Sequence, residues 1–271
     1  MAVIKRFYYS FILGWKIWSN WAQWWVFLGY LLIRPIFGVA IFYMVIYFAQ
    51  GNKAIDFFFW VLAGNALFQI LSGTSTGLVW TIFDDRNFYE TLVPIYIAPG
   101  SFLEKIVGRS FGGGITGIFT SFFILFLSFI FGAPYLLKLS FIFYTLLFLF
   151  TGIGFGLILA SFSLFMGEGA GYLIEGTISA LQLISGVSFA PDLLPNFLQK
   201  IAFINPFLYL IEGGRRSLGL SSFFIKEISS EKLIYYSLLT SIITIIIGIF
   251  IFLIVEQKAR KNGAFTRKTN Y

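Results

Sequence analysis

The sequence of 271 residues contains no cysteine and no histidine, and only 11% of its residues are charged. The absence of cysteine excludes disulfides, thiolate chemistry and cysteine metal sites. Histidine is the commonest general base and metal ligand, so its absence excludes ordinary hydrolytic triads and zinc sites. The acidic residues fall almost entirely at the ends of apolar segments or between them, which leaves no buried proton relay. We therefore predict no catalytic, cofactor-binding or metal-binding residue in this chain.

Apolar residues dominate instead: 58% of the sequence is hydrophobic, 21% is aromatic and the mean hydropathy is +0.87. These values exceed what a soluble domain of this length can bury. Six segments are apolar over about 20 residues or more, enough to cross a hydrocarbon core about 30 Å thick. Because membrane strands would alternate in polarity over about ten residues, the long runs predict an all-α integral membrane protein. The six predicted spans are residues 25–48, 57–83, 107–131, 140–166, 172–189 and 233–255, in one membrane domain over 24–271.

Lysine and arginine fall more often on the side that both termini share than on the opposite side. By the positive-inside rule, we expect a multi-pass protein of the cell membrane with both termini in the cytoplasm, including a basic tail over 256–271. The net charge of +7 then reflects topology and anionic lipid rather than nucleic-acid binding. The first residues lack a continuous apolar core and a small-residue cleavage site, so we expect no cleavable signal peptide.

Residues 1–23 have the pattern of an amphipathic helix. Apolar side chains recur at spacings of three and four, at Ile4, Phe7, Phe11, Trp15 and Trp18. We expect this helix to lie along the cytoplasmic membrane interface. It would serve either as an anchor for the first span or as a docking surface for a partner.

Glycines repeat four residues apart within two spans, at Gly113 and Gly117 and at Gly152 and Gly156. Such spacing allows close helix contact, either within one subunit or at a dimer seam. The glycine-rich stretch GRSFGGG lacks the Gly-Lys-Ser/Thr of a phosphate-binding loop, so it does not predict ATP binding.

Arg34 is a basic residue deep within a predicted span, in its cytoplasmic half. It can extend toward the interface or form a functional pair with Glu168 or Glu175.

The connection before the last span, residues 190–220, contains two apolar segments that are too short to cross a membrane. Asp192 can cap a first helix with Pro195 in its early turn, and Asn205-Pro206 ends that helix. A second helix would end at Gly213-Gly214. Two such helices on the outer side predict a re-entrant hairpin.

Two longer motifs carry a resemblance to a known family. RNFYETLVPIYIAPGSFLEKIVGR contains Thr-Leu, then Ala-Pro, then Gly-Arg, and SGVSFAPDLLPNFLQKIAFINPFLYLIEGGRR contains Pro, Leu-Pro, Asn-Pro-Phe and a terminal Arg pair. With six spans and an N-terminal amphipathic helix, this order resembles the membrane subunit of an ABC-2 type ABC transporter over nearly the whole chain. Two departures are the position of Glu90 before the Thr-Leu pair and the lack of the Arg-rich, Tyr-Lys-containing entry of polysaccharide exporters.

The resemblance implies that the loop 84–106 carries a coupling helix that docks into a separate cytoplasmic ATPase. The matching residues are Asp84, Asp85, Arg86, Asn87, Phe88, Tyr89, Glu90, Thr91 and Leu92. Independently, Asp84 or Asp85 can cap a helix, and Phe88, Tyr89 and Leu92 would share one face of it as anchors. The implied outer gate contains Pro191, Pro195, Asn205, Pro206 and Arg215.

The resemblance also implies an exporter with two ATPase copies, which bind ATP and magnesium, and a second permease copy in a homodimer. A chain with 36 phenylalanines suits a largely apolar passage for an amphipathic, lipid-like or lipid-linked substrate such as a drug, lipid or glycan. Two alternatives stay open: an ATP-independent secondary transporter or channel, and a lipid-modifying membrane enzyme with Asp84, Asp85 and Glu90 as metal ligands.

Overall fold

The computed structural model describes residues 2–20, 22–50, 55–136, 138–166, 170–222, 225 and 228–265. Within these ranges the chain forms ten α-helices and no strand, so the prediction of an all-α protein is confirmed. The helices are α1 (Ala2–Ser19), α2 (Trp24–Gln50), α3 (Ile55–Asn87), α4 (Leu92–Ile97), α5 (Phe102–Ile130), α6 (Leu139–Ser163), α7 (Ala170–Ile184), α8 (Asn196–Ile204), α9 (Pro206–Ser217) and α10 (Ser230–Lys261).

Five of these helices, α2, α3, α5, α6 and α10, are long and apolar enough to cross a membrane. They correspond to five of the six predicted spans. The other predicted span, 172–189, overlaps α7, whose 15 residues extend only about 22 Å. Gly171 lies against the ring of Trp80, and the Gln182 side chain donates a hydrogen bond of 2.8 Å to Asn65 Oδ1. The segment therefore runs antiparallel to α3. That the chain crosses the membrane six times stays a prediction.

The helix α3 lies at the centre of the bundle because glycines bring α5 and α6 against it. A Cβ atom at Gly113 would lie 2.5 Å from the Gly73 carbonyl oxygen, and one at Gly117 would lie 2.6 Å from the Gln69 carbonyl oxygen. A Cβ atom at Gly152 would lie 2.9 Å from the Leu71 carbonyl oxygen. The glycine pairs thus serve packing within one subunit, which was one of the two interpretations above.

The glycine-rich stretch before the middle of α5 also receives α1. The Arg6 guanidinium lies 3.6 Å from the Glu104 carboxylate, and Trp18 Nε1 donates to Thr116 Oγ1 over 3.2 Å. Both contacts join residues 98 positions apart, so α1 runs beside α5 in the same direction. The backbone of Gly14 packs on Arg109 at this seam. The helix was predicted but this packing was not, and its place at the membrane surface stays a prediction.

The connection before α10 contains two short helices, α8 and α9, which meet at Asn205-Pro206 as predicted. Two details were wrong. Asp192 lies in a separate 3₁₀ turn, Pro191–Leu193, and Pro195 is the residue before α8. The helix α9 continues through Gly213 and Gly214 to Ser217, because these glycines let it pack closely on Tyr144, Leu67 and Phe148.

Candidate functional site

A groove of about 790 Å³ lies between α2 on one side and α3, α5 and α7 on the other. Along α3 its lining extends from Leu62 to Asp84. These two residues are 22 positions apart in a helix, which corresponds to about 33 Å, close to the thickness of a hydrocarbon core. The groove therefore has the depth that a path across the membrane requires.

The wall of the groove formed by α3 and α7 is polar. Four side chains of α3 line it at spacings of four, three and four, which places them on one helix face: Asn65, Gln69, Ser72 and Thr76. On the same wall, the neighbouring helix α7 contributes Glu175, Ser179 and Gln182, at spacings of four and three. The facing wall on α2 is mainly apolar, with Phe27, Leu31, Val39 and Phe42. The prediction of a largely apolar passage therefore describes one wall only.

Arg34 and Glu175 both line this groove, on opposite walls. The two side chains make no ion pair with each other or with another described residue, so their predicted pairing is not formed here. The other predicted partner, Glu168, lies outside the described residues. Tyr43 packs against Phe58 near the start of α3, and Arg34 is nine positions before Tyr43, or about 14 Å away along α2. Arg34 therefore lies near the middle of α2 (Trp24–Gln50), and its place in the cytoplasmic half of the membrane stays a prediction.

The predicted coupling helix does not form over residues 84–92. Residues 84–87 are instead the last turn of α3, and residues 88–91 form a turn in which Glu90 has a left-handed φ of 52°. The next helix, α4, begins at Leu92. Asp85 does not cap a helix start, because its carboxylate is fully buried and engaged elsewhere.

Asp85 forms a buried ion pair with Arg109 of α5. Arg109 Nη2 donates to Asp85 Oδ1 over 2.8 Å, Nη1 donates to Oδ2, and the Thr91 hydroxyl donates to Oδ1 over 2.9 Å. This pair joins the end of α3, the turn and α5. Asp85 and Thr91 therefore fix the loop internally and are not surface docking residues.

Two more cations hold helix ends at the same side of the bundle. Arg86 donates to the carbonyl oxygens of Leu164, Ser163 and Met166, at the end of α6. Lys105 donates to the carbonyl oxygens of Ile95, at 2.8 Å, and Ala98, at the end of α4. A cation at a helix C-terminus satisfies its last carbonyl groups and its negative partial charge. The loop is thereby fastened to α3, α5 and α6 together.

The exposed part of the loop is a small tip. Phe88 and Tyr89 are 69% and 47% exposed, and Glu90 is exposed beside them. Leu92 is only 2% exposed, so it packs inside and cannot serve as the predicted anchor. Of the nine predicted docking residues, this tip is the set that a partner could contact directly, with Asn87 half-buried at its edge.

The family model described as ABC-2 type transporter matches residues 9–218, from α1 to the end of α9. The chain belongs to the ABC-2 type transporter family. It is therefore a membrane-spanning permease subunit, as the two motifs indicated. No curated protein sequence matches this permease.

Arg215 of α9, one of the predicted gate residues, is fully buried. Its guanidinium lies 3.4 Å from the centroid of the Trp60 ring and donates to the carbonyl oxygens of Trp60, Gly186 and Val187 at 2.7–3.0 Å. Burial lowers the pKa of Arg215 to about 10, which leaves it protonated at neutral pH. Arg215 thus ties α9 to the start of α3 and to the chain after α7.

The other predicted gate residues serve the same connection. Asn205 accepts a hydrogen bond from Phe207 N over 3.1 Å and donates to Ser185 Oγ over 2.9 Å, so it caps α9 and holds it to the end of α7. Pro206 is the first residue of α9, a position that tolerates proline, and Pro191 is buried. These contacts fix the hairpin to α3 and α7, and a gating role stays a prediction.

The polar wall of the groove and Arg109 were missed as functional residues. The spacing of Asn65, Gln69, Ser72 and Thr76 is visible in the printed sequence, within a span treated as uniformly apolar. Arg109 gave no local signal, because its partner lies 24 residues away in sequence. Among the described residues, no three acidic side chains come together as a metal site would require.

Proposed function

We propose that this permease is the membrane subunit of an ATP-driven exporter that moves an amphipathic, lipid-like or lipid-linked molecule outward. The observation that carries the proposal is the groove, which is as deep as a hydrocarbon core and has one apolar and one polar wall. An amphipathic substrate matches both walls at once. ATP and magnesium would bind to a separate cytoplasmic ATPase.

Two permease copies would enclose this groove. Glu175, Ser179 and Gln182 lie on its polar wall, and such side chains are costly to expose to lipid. A second copy related by a twofold axis would cover the polar walls of both subunits and leave a shared passage between them. Closed twofold assemblies are the commonest, so we expect a homodimer.

The tip formed by Phe88, Tyr89 and Glu90 would dock into the ATPase. Two exposed aromatic side chains are the kind of anchor that concentrates binding energy at an interface. The Asp85–Arg109 pair and Arg86 would transmit movement of the tip to α3, α5 and α6, because they join the loop to these helices through direct ion-pair and hydrogen-bond contacts. Since α3 carries the polar wall, a push at the tip would change access to the groove, with the outer hairpin as a gate.

The test is purification of the permease from its native membranes in mild detergent, followed by measurement of any co-purifying soluble ATPase. We expect an ATPase in equal amount, and its loss when Phe88 and Tyr89 are both changed to Ala. The matched control is Phe197→Ala, which removes an aromatic side chain that is 72% exposed on α8, at the opposite end. Retention of the ATPase by the double variant would contradict docking at the tip.

One observation favours the alternative of an ATP-independent transporter. Arg34 and Glu175 are ionisable groups within a membrane-deep groove, a feature typical of self-sufficient transporters. In that case the permease would elute without an ATPase and would move its substrate in vesicles that contain no ATP.

A further inference from the structure

The groove contains two opposite charges without ion-pair partners among the described residues. Arg34 on α2 and Glu175 on α7 are both exposed to the groove, and the described ion pairs involve neither. A charge at membrane depth is costly unless a partner, water or a ligand compensates it. A ligand that carries both signs would compensate both groups.

The two charges lie close enough in depth to contact one head group. Arg34 is about 14 Å deeper than the ring contact between Tyr43 and Phe58. Gln182 bonds to Asn65, seven positions after Phe58. Glu175 is seven positions before Gln182, so it lies about 21 Å deeper than Phe58. The offset between Arg34 and Glu175 along the groove is therefore about 7 Å.

The polar wall beside Glu175 presents hydrogen-bond acceptors. The hydroxyl of Thr76 donates to the carbonyl oxygen of Ser72 over 2.8 Å, and that of Ser72 donates to the carbonyl oxygen of Gln69 over 3.4 Å. Once its hydrogen is used inside the helix, a hydroxyl group offers only lone pairs to the groove. Such a wall favours a ligand group that donates, as an ammonium does.

The opposite wall suits a hydrocarbon chain. Phe27, Leu31, Val39 and Phe42 of α2 line the groove above and below Arg34. A chain along these residues would place its attached head group at the level of Arg34. The guanidinium can bind a phosphate through two parallel hydrogen bonds.

We propose that the groove binds a zwitterionic amphiphile, with its phosphate at Arg34, its ammonium at Glu175 and its hydrocarbon chain along α2. This assignment rests on the function proposed above, because it names the substrate class of the same groove.

The experiment uses the full-length permease alone, in maltoside micelles, with three single-chain probes of equal chain length. Lysophosphatidylethanolamine carries both charges, lysophosphatidylglycerol is anionic and hexadecylamine is cationic. Binding is followed by tryptophan fluorescence, because Trp18 and Trp80 line the groove. We expect the zwitterionic probe to bind most tightly.

Charge removal then separates the two contacts. Arg34→Gln should lower the affinity for the zwitterionic and anionic probes about tenfold, since a hydrogen bond to a charged group is worth about that factor. The affinity for the cationic probe should not change. Glu175→Gln should lower the affinity for the zwitterionic and cationic probes and leave the affinity for the anionic probe unchanged. Arg34→Lys, which keeps the charge, should retain most of the affinity. Arg260→Gln and Glu231→Gln remove exposed charges outside the groove and should change no affinity.

Two results would overturn the assignment. One is equal affinity for the zwitterionic and anionic probes with no effect of Glu175→Gln. The other is an affinity loss in Arg34→Gln that the added Glu175→Gln change restores, because the two side chains would then pair with each other. No ATPase enters this assay, so either result leaves the ATP-driven function standing, and failure of an ATPase to co-purify leaves the probe affinities interpretable.

Discussion

The helices α2 and α3 are both long and apolar, yet their surroundings are opposite. In the most apolar stretch of α3, 72% of residues are buried inside the chain, against 22% in α2. A Cβ atom added at Gly73 of α3 would lie 2.8 Å from the Gly113 carbonyl oxygen, whereas one added at Gly38 of α2 would have no described neighbour within 4 Å. These two helices form the opposite walls of one groove.

This contrast indicates how the groove changes shape. The helix α3 is fastened to α5 and α6 by glycine contacts and by the ion pair at its end, so moving it requires breaking many contacts at once. The helix α2 has few contacts to break, and segments with few buried contacts open at low free energy. We infer that α3 moves only together with α5 and α6, as one unit, and that α2 is the wall that moves relative to this unit. The following predictions test that contrast.

The largest effect is expected from Arg109→Ala at the fastened end of α3. This change leaves the buried carboxylate of Asp85 without its cation, which costs about 3–5 kcal/mol of unfolding free energy. Thermal unfolding in detergent, followed by size-exclusion chromatography, measures the loss. A double change of Asp85 and Arg109 to Leu should recover much of it, because no charge is then left buried. An unchanged unfolding midpoint in Arg109→Ala would show that the pair does not fasten α3.

A smaller effect is expected at the seam between α3 and α5. Gly113→Ala places a methyl group 2.5 Å from the Gly73 carbonyl oxygen, so the two helices must separate, at about 1–3 kcal/mol. The matched change on α2, Gly38→Ala, meets no described atom within 4 Å and should gain up to about 1 kcal/mol from helix propensity. The same unfolding assay compares both variants. Equal losses at the two positions would remove the contrast between the helices.

The polar wall should be reachable from water, which a cysteine scan can measure in a chain without native cysteine. Thr76→Cys and Ser179→Cys lie on the groove, whereas Ile41→Cys is 59% exposed in the native chain but does not line the groove. We expect a charged thiol reagent to label the groove positions at least tenfold faster in vesicles, about 1.4 kcal/mol in activation free energy. Similar rates at all three positions would place the groove in contact with lipid.

Local features of the sequence predicted the parts of the fold that depend on local physics. Long apolar runs predicted five membrane-length helices, and the proline after Asn205 predicted the break between α8 and α9. The α7 segment has a shorter apolar run than the other predicted spans, because Glu175 and Gly176 interrupt it.

The errors at the coupling loop have a tertiary cause. In the sequence, Asp85 stands in a charged stretch between two spans, as a surface acid would. Its burial is possible because Arg109 of α5 approaches it and pairs with it. Leu92 shares a helical face with Phe88 in the sequence pattern, but the left-handed turn at Glu90 breaks that face. The groove stripe from Asn65 to Thr76 is different, because its spacing needs no tertiary information and could have been predicted.

The smallest effect on stability is expected from Arg34→Gln, the counterpart of Arg109→Ala on the loose wall. Arg34 makes no ion pair with a described residue, so its removal should change the unfolding free energy by no more than about 0.5 kcal/mol. The unfolding assay that detects the loss of Arg109 therefore distinguishes the roles of the two arginines: Arg109 stabilises the fold, and Arg34 is directed at the groove. If Arg34→Gln destabilised the permease as strongly as Arg109→Ala, α2 would be held by Arg34 and would not be the moving wall.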